Sequence, residues 1–135
     1  MPKGVWVSSF GKFERGVENV IASVFSRAFR TDVKPVEIAS AINRAMDEGA
    51  AAYSRERTIA PNEFTVHLSP DDYPRLEQWG RESLGEELVR NSIKYATTQD
   101  YTFLGHVRIH FREDSETGSG LVRVVAKTVR ELLHP

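Results

Sequence analysis

The chain has no cysteine among its 135 residues. That excludes disulfides, thiolate nucleophiles and thiolate-based zinc or iron–sulfur sites, and it fits a reducing compartment. Net charge is almost absent too: 18 Lys and Arg stand against 19 Asp and Glu, formally -1, so no global field draws the chain to nucleic acid or an anionic membrane. No apolar run approaches the roughly 20 residues that span a bilayer. The opening MPKGVWVSSFGKFERGVE becomes charged too early for the apolar segment of a signal peptide, and the chain reads as cytoplasmic. Catalytic signatures are missing as well: there is no GxSxG elbow, no HExxH and no kinase set. GRESLG at 80–85 has two glycines but lacks the Lys-Ser/Thr that grips phosphate. Asp71 and Asp72 form an adjacent carboxylate pair, but at a helix start such groups cap. With no acid, base and nucleophile placed together, the expectation is a non-enzyme with no cofactor and no metal.

What is present is an ordinary globular composition, 40% hydrophobic and 27% charged, read as a single domain over residues 1–135. From Phe10 to Phe29 the apolar positions 10, 13, 17, 20, 21, 24, 25, 28 and 29 have helical spacing, with Ser8 or Ser9 as cap. Trp6, Phe10, Phe13, Phe25 and Phe29 would also suit a membrane-surface helix, but the mixed charges of Lys12, Glu14, Arg15, Glu18 and Arg27 fit a solvated face. Pro35 opens a second helix that buries Val36, Ile38, Ala39, Ile42, Ala45 and Met46 and fades through Gly49–Tyr53. A short strand at Thr58–Ile59 and the alternating Phe64–Ser69 form a hairpin around the turn Ala60–Glu63. Pro70-Asp71-Asp72 opens a helix carrying Tyr73, Leu76 and Trp79 to Gly80, and Glu86–Thr98 is helical again. Phe103–Arg112 and Leu121–Thr128 are strands around the turn 113–120. The expected fold is α+β, a small antiparallel or mixed sheet with about four helices on one face, in the order ααββααββ.

Alternation sorts the strands. Phe64, Val66, Leu68, Val107, Ile109 and Phe111 share an apolar face, and His67, His106, Arg108, His110, Arg112, Arg123 and Lys127 share a polar, mildly basic one. A zinc site at His106 and His110 fails on distance, since four strand residues separate the backbones by about 13 Å and zinc takes ligands at roughly 2 Å. An RNA-binding sheet would expose aromatics, whereas Phe64 and Phe111 lie on the apolar side. Binding an acidic or phosphorylated protein segment through Arg108, Arg112 and Arg123 fits the residue types. A plain solvated face fits them too. The candidate partner surface is therefore His67, His106, Arg108, His110, Arg112 and Arg123.

Three stretches carry a further signal: FGKFERGVE, FSRAFRTDVKPVEIASAI and, above all, APNEFTVHLSPDDYPRLE. From about Phe10 to Val125 the chain resembles the N-terminal domain of FhaA-type proteins, actinobacterial cytoplasmic proteins with a forkhead-associated (FHA) domain at the far end. The resemblance implies an α+β, non-catalytic interaction and regulatory domain in Ser/Thr-kinase signalling around peptidoglycan synthesis and division. It implies as partners a Ser/Thr kinase and membrane-associated cell-wall machinery, with recruitment to the membrane or septum through them. The phosphothreonine-reading residues of an FHA domain have no counterpart here, and no FHA domain is expected in this chain. The alternative function is a nucleic-acid or anionic-surface module using the basic face, although the sheet chemistry argues against nucleic acid. In a kinase pathway Thr117, within REDSETGSG, becomes the candidate phosphoacceptor, because Gly118 and Gly120 would make an exposed, mobile hairpin tip.

Overall fold

Pro35 presets the backbone of a first helical turn, and the Glu37 carboxylate accepts the Lys34 N–H at 2.7 Å. Helix α1 (Pro35–Gly49) therefore starts where its sequence signals put it, and it buries Ile38, Ala41, Ile42, Ala45 and Met46. The computed structural model describes residues 17–27 and 32–131. Its strands are β1 (Val17–Arg27), β2 (Ala51–Ser54), β3 (Arg57–Ile59), β4 (Glu63–Leu68), β5 (Tyr101–Thr102), β6 (Arg108–Glu113) and β7 (Leu121–Val129), with helices α2 (Arg75–Trp79) and α3 (Arg81–Gln99) between β4 and β5. A four-stranded sheet runs β1-β7-β4-β6 and a three-stranded one β2-β3-β5. In the larger sheet β1 and β4 lie antiparallel to β7, and β6 is parallel to β4. Phe64, Val66, Leu68, Val122, Val124 and Ala126 line its inner face and form one core with α1, Leu76 of α2 and Leu84, Leu88 and Ala96 of α3.

The class α+β and a mixed sheet hold, but the described residues form three helices rather than about four, a second sheet of three strands is present, and the element order differs from ααββααββ. Residues 17–27, expected to be helical, form a strand: Ala22 and Val24 are buried while Ser23 and Phe25 are exposed. Val17, Val20, Ile21, Val24 and Phe25 are β-formers, and pairing with β7, irregular between Val17 and Ala22, overrides the helical spacing of these positions. The expected caps Ser8 and Ser9, with Trp6, Phe10, Phe13 and Phe29, lie outside the described residues. Gly49–Tyr53, expected to be the fading end of a helix, gives way at Ala51 to β2.

The expected β3–β4 hairpin is not formed. Ala60 N–H donates to Thr102 O at 3.0 Å and Asn62 N–H to Lys127 O at 3.0 Å, so the chain leaves one sheet and enters the other across Pro61. Nor are β6 and β7 neighbours, because β4 lies between them. Segment 114–120 is thus a crossover over the end of β4 rather than a hairpin tip. The expected strand 103–112 is likewise shorter, with residues 103–107 forming a loop. Pro70–Pro74 is a turn that precedes α2, and Gly80, at φ 86°, separates α2 from α3. That left-handed conformation suits glycine, and it lets α3 begin at Arg81, earlier than the apolar spacing indicated.

The APNEF stretch has a structural explanation. Asn62, 1% exposed, donates from Nδ2 to His106 O (2.9 Å) and Val129 O (3.0 Å), while its Oδ1 accepts the Val129 N–H (2.8 Å). One side chain thereby ties the approach to β6 to the end of β7 where β4 begins. Gly105 faces this clamp, and a Cβ there would sit 2.9 Å from Val129 O and 3.0 Å from Asn62 Nδ2.

Candidate functional site

Among the described residues the outer face of the larger sheet is uncovered, and strand register sets its rows. His67 lies between Arg112 of β6 and Arg123 of β7, and Arg123 is paired with Phe25 of β1. One row across the sheet is therefore Arg112–His67–Arg123–Phe25. The Arg123 guanidinium lies 5.8 Å from the centroid of the Phe25 ring, which is 56% exposed. The next row toward the N-terminal end of β4 contains His110, Thr65 and Val125, and the third contains Arg108, Glu63 and Lys127.

Carboxylates pair with Arg108 and Lys127, two of the four Arg and Lys side chains of this face, and with its histidines. Glu63 pairs with His110 (3.2 Å) and Lys127 (3.6 Å). Glu131 pairs with Arg108 and His106, each at 2.6 Å. Asp114 meets His67 Nδ1 at 3.1 Å. Among the described residues, only Arg112 and Arg123 of the predicted surface have no carboxylate partner. The face is consequently less basic than its cations alone suggested. His106 lies in the loop before β6, not on the strand as expected.

The pKa shifts follow from these contacts. Partial burial, reinforced by Arg123, lowers His67 below its ordinary 6.5, against the pull of Asp114. His67 is then neutral at pH 7, and because a carboxylate can only accept, its Nδ1 carries the proton. The Arg108 guanidinium, followed by His106, holds Glu131 down at about 2. The Glu116 N–H is the main group that keeps Asp114 below the usual carboxylate range.

Acid should therefore weaken the fold in two stages. Both groups have depressed folded pKa values, so each contributes stability that is complete above its unfolded value and lost as pH falls through the folded one. The His67 contribution fades below its ordinary 6.5, and the Glu131 contribution fades from 4.5 toward about 2. Melting temperature against pH should fall in both windows. His67→Gln should flatten the upper stage and Glu131→Gln the lower; unchanged curves would refute both assignments.

Thr117 requires a correction. It is 3% exposed, and its N–H donates to Asp114 O at 3.0 Å. Its hydroxyl makes no hydrogen bond of full geometry, although it lies near enough to help hold the Asp114 carboxyl down. The crossover is pinned from below. Buried Asp72 accepts the Gly120 N–H at 2.9 Å and the Ser69 hydroxyl at 3.0 Å, and Asp71 accepts the Ser119 hydroxyl at 2.6 Å. Thr117 is therefore turned inward, whereas Ser115 and Ser119 are exposed. The Asp71-Asp72 pair serves this anchoring, and among the described residues no three metal-binding side chains are grouped.

Residues 10–125 match the family described as "FhaA, N-terminal domain". The chain belongs to the FhaA N-terminal domain family. It is 25% identical over 112 residues to the "FHA domain-containing protein FhaA" of Mycobacterium tuberculosis (strain ATCC 25618 / H37Rv), a match that covers 83% of this chain and 21% of that protein. The chain thus spans about a fifth of the curated relative it matches. A solved structure described as "Rv0020c_Nter structure" shares its fold, with TM-score 0.62 and 24% identity over 73% of each chain. In this FhaA-type domain the stretch APNEFTVHLSPDD places the Asn62 clamp, the His67 row and the Asp72 anchor consecutively. These residues build the frame around the open face.

The sequence reading missed Glu63, Asp114, Glu131 and Phe25. Parity would have found the first three: Glu63 precedes Thr65 and His67 by one alternation, Asp114 follows Arg112, and Glu131 continues the odd-numbered face of β7. Phe25 was hidden by reading β1 as a helix. Among the described residues no helix is long and apolar enough to cross a membrane.

Proposed function

We propose that this domain is a non-catalytic protein-interaction module of an FHA-containing regulatory protein. It acts in Ser/Thr-kinase signalling that controls peptidoglycan synthesis and division. Its partners are a Ser/Thr kinase and membrane-associated cell-wall proteins, which recruit it from the cytoplasm to the membrane or septum. The open sheet face receives an acidic or phosphorylated segment of the partner. One observation supports this placement most: among the described residues Arg112 and Arg123 flank neutral His67 and have no carboxylate partner, whereas Arg108 and Lys127 are paired. Arginine without a carboxylate partner is suited to carboxylate or phosphate. Glu63, Asp114 and Glu131 on the same face would repel the continuous phosphate backbone of a nucleic acid.

Arg112→Glu with Arg123→Glu tests the reading. The double variant should lose capture of kinase-pathway and cell-wall proteins from an actinobacterial lysate by at least tenfold. Its melting temperature should move by only about 3 °C, since exposed substitutions usually cost less than about 0.5 kcal/mol each. Capture of those proteins that survives both reversals would remove the open face from the interaction. Steeply salt-dependent retention of RNA or acidic lipid instead would turn the reading toward an anionic-surface module.

A further inference from the structure

Among the described residues strand β6 is an edge of the larger sheet, with its backbone bonded on one side only. Arg108 N–H donates to Asn62 O at 2.9 Å and Asp114 N–H to Leu68 O at 2.8 Å. These bonds bracket a parallel ladder in which alternate residues face β4. The even-numbered amides are therefore used, and those of Ile109, Phe111 and Glu113 point to the unpaired side. Beneath that side lies a groove of about 710 Å³ between β6 and the first half of α3, with Val89, Ile109 and Phe111 supplying apolar surface. Arg81, Glu82, Glu86 and Arg90 also line it, two charges of each sign. Above it, on the open face, stand Arg108, His110 and Arg112.

We infer that the β6 edge takes an extended segment of a partner protein as an added strand, one in which apolar and acidic residues alternate. Strand addition supplies affinity through main-chain hydrogen bonds and specificity through alternate side chains. Here the apolar set enters the groove beside Ile109 and Phe111, and the acidic set turns to the open face beside Arg112. A second copy of this chain is the wrong occupant: antiparallel β6 strands centred on His110 would oppose Arg108 to Arg112 twice, and like charges directly opposite destabilise a pair. The charges that protect the edge from self-association therefore leave it selective for an acidic strand. This inference rests on the open face being the partner surface, and it fixes how the partner's backbone lies there.

The test uses the full chain with two nine-residue capped peptides, one alternating valine and glutamate, the other alternating valine and lysine. The acidic peptide should bind at submillimolar concentration and slow hydrogen exchange at the Ile109, Phe111 and Glu113 amides at least tenfold. The basic peptide should bind at least tenfold more weakly. Glu113→Pro removes an outward amide without touching the ladder to β4, as proline at a sheet edge can, and should weaken the acidic peptide at least tenfold at unchanged melting temperature. No binding at 1 mM, binding without protection of those amides, equal binding of the basic peptide, or full binding to Glu113→Pro would each overturn strand addition. Natural partners that are lost with the Arg112 and Arg123 reversals but kept by Glu113→Pro would leave the open-face reading intact and remove this one alone.

Discussion

Asn62→Ala should lower the stability of the domain by about 3 kcal/mol, because three backbone groups lose their partner and each unsatisfied buried group costs about 1–3 kcal/mol. For a domain of this size that is a fall in melting temperature of about 10 °C. The orphaned groups would be His106 O, Val129 O and Val129 N–H. Asn62→Asp should do no better: its carboxylate still accepts the Val129 N–H but has no proton for the two carbonyls. Gly105→Ala should destabilise by a related route, since its Cβ would sit 2.9 Å from Val129 O. Thermal melts of the three variants check the scheme. A shift below about 2 °C for Asn62→Ala would mean that water replaces the amide without loss and that the clamp is dispensable.

The parts of the fold legible in sequence were those in which one local signal had no rival. Pro35 with Glu37 marked α1, and alternation in β4 and β6 put His67 and Arg112 on the face expected to hold Arg123; that the three share a row follows only from strand register. Positions 17–25 carry helical spacing, and only pairing with β7 overrides it. The hairpins expected at 60–63 and 113–120 failed because turn chemistry says that the chain bends, not which strand it meets next. Asn62 looked like a turn residue for the same reason: its three hydrogen bonds reach residues 44 and 67 positions away. The partners that neutralise the face also lie far along the chain, with Glu131 separated by 25 residues from His106. Pairing at that distance leaves no local pattern to read.

Asp72→Ala should release the 114–120 crossover and open Thr117 to a kinase. Asp72 is 2% exposed, holds the Gly120 N–H and the Ser69 hydroxyl, and pairs with Arg75 Nε at 3.4 Å. Removing it takes the acceptor from the Gly120 N–H and the Ser69 hydroxyl, each costing about 1–3 kcal/mol if left unsatisfied, while partly exposed Arg75 keeps Asp32 at 3.6 Å. Asp72→Asn keeps an acceptor for Gly120 and should cost less. In the folded chain Ser115 is exposed and Thr117 is turned inward, so a kinase should reach Thr117 only in an opened crossover. Mass spectrometry after incubation with an actinobacterial Ser/Thr kinase should find phosphate on Thr117 at least tenfold faster in Asp72→Ala than in the parent, with Thr117→Ala in the same background as the control for position. Equal rates in parent and variant would show that burial does not gate the site. Once made, the phosphothreonine could not return to its pocket. It would bring roughly -1.5 to -2 charges beside Asp114 and Glu116, and burying that charge without a cation costs several kcal/mol. Arg123, three residues beyond the crossover and without a carboxylate partner among the described residues, is the cation within reach along the chain. Phosphorylation would then hold the crossover open and occupy one of the two arginines that the partner surface needs.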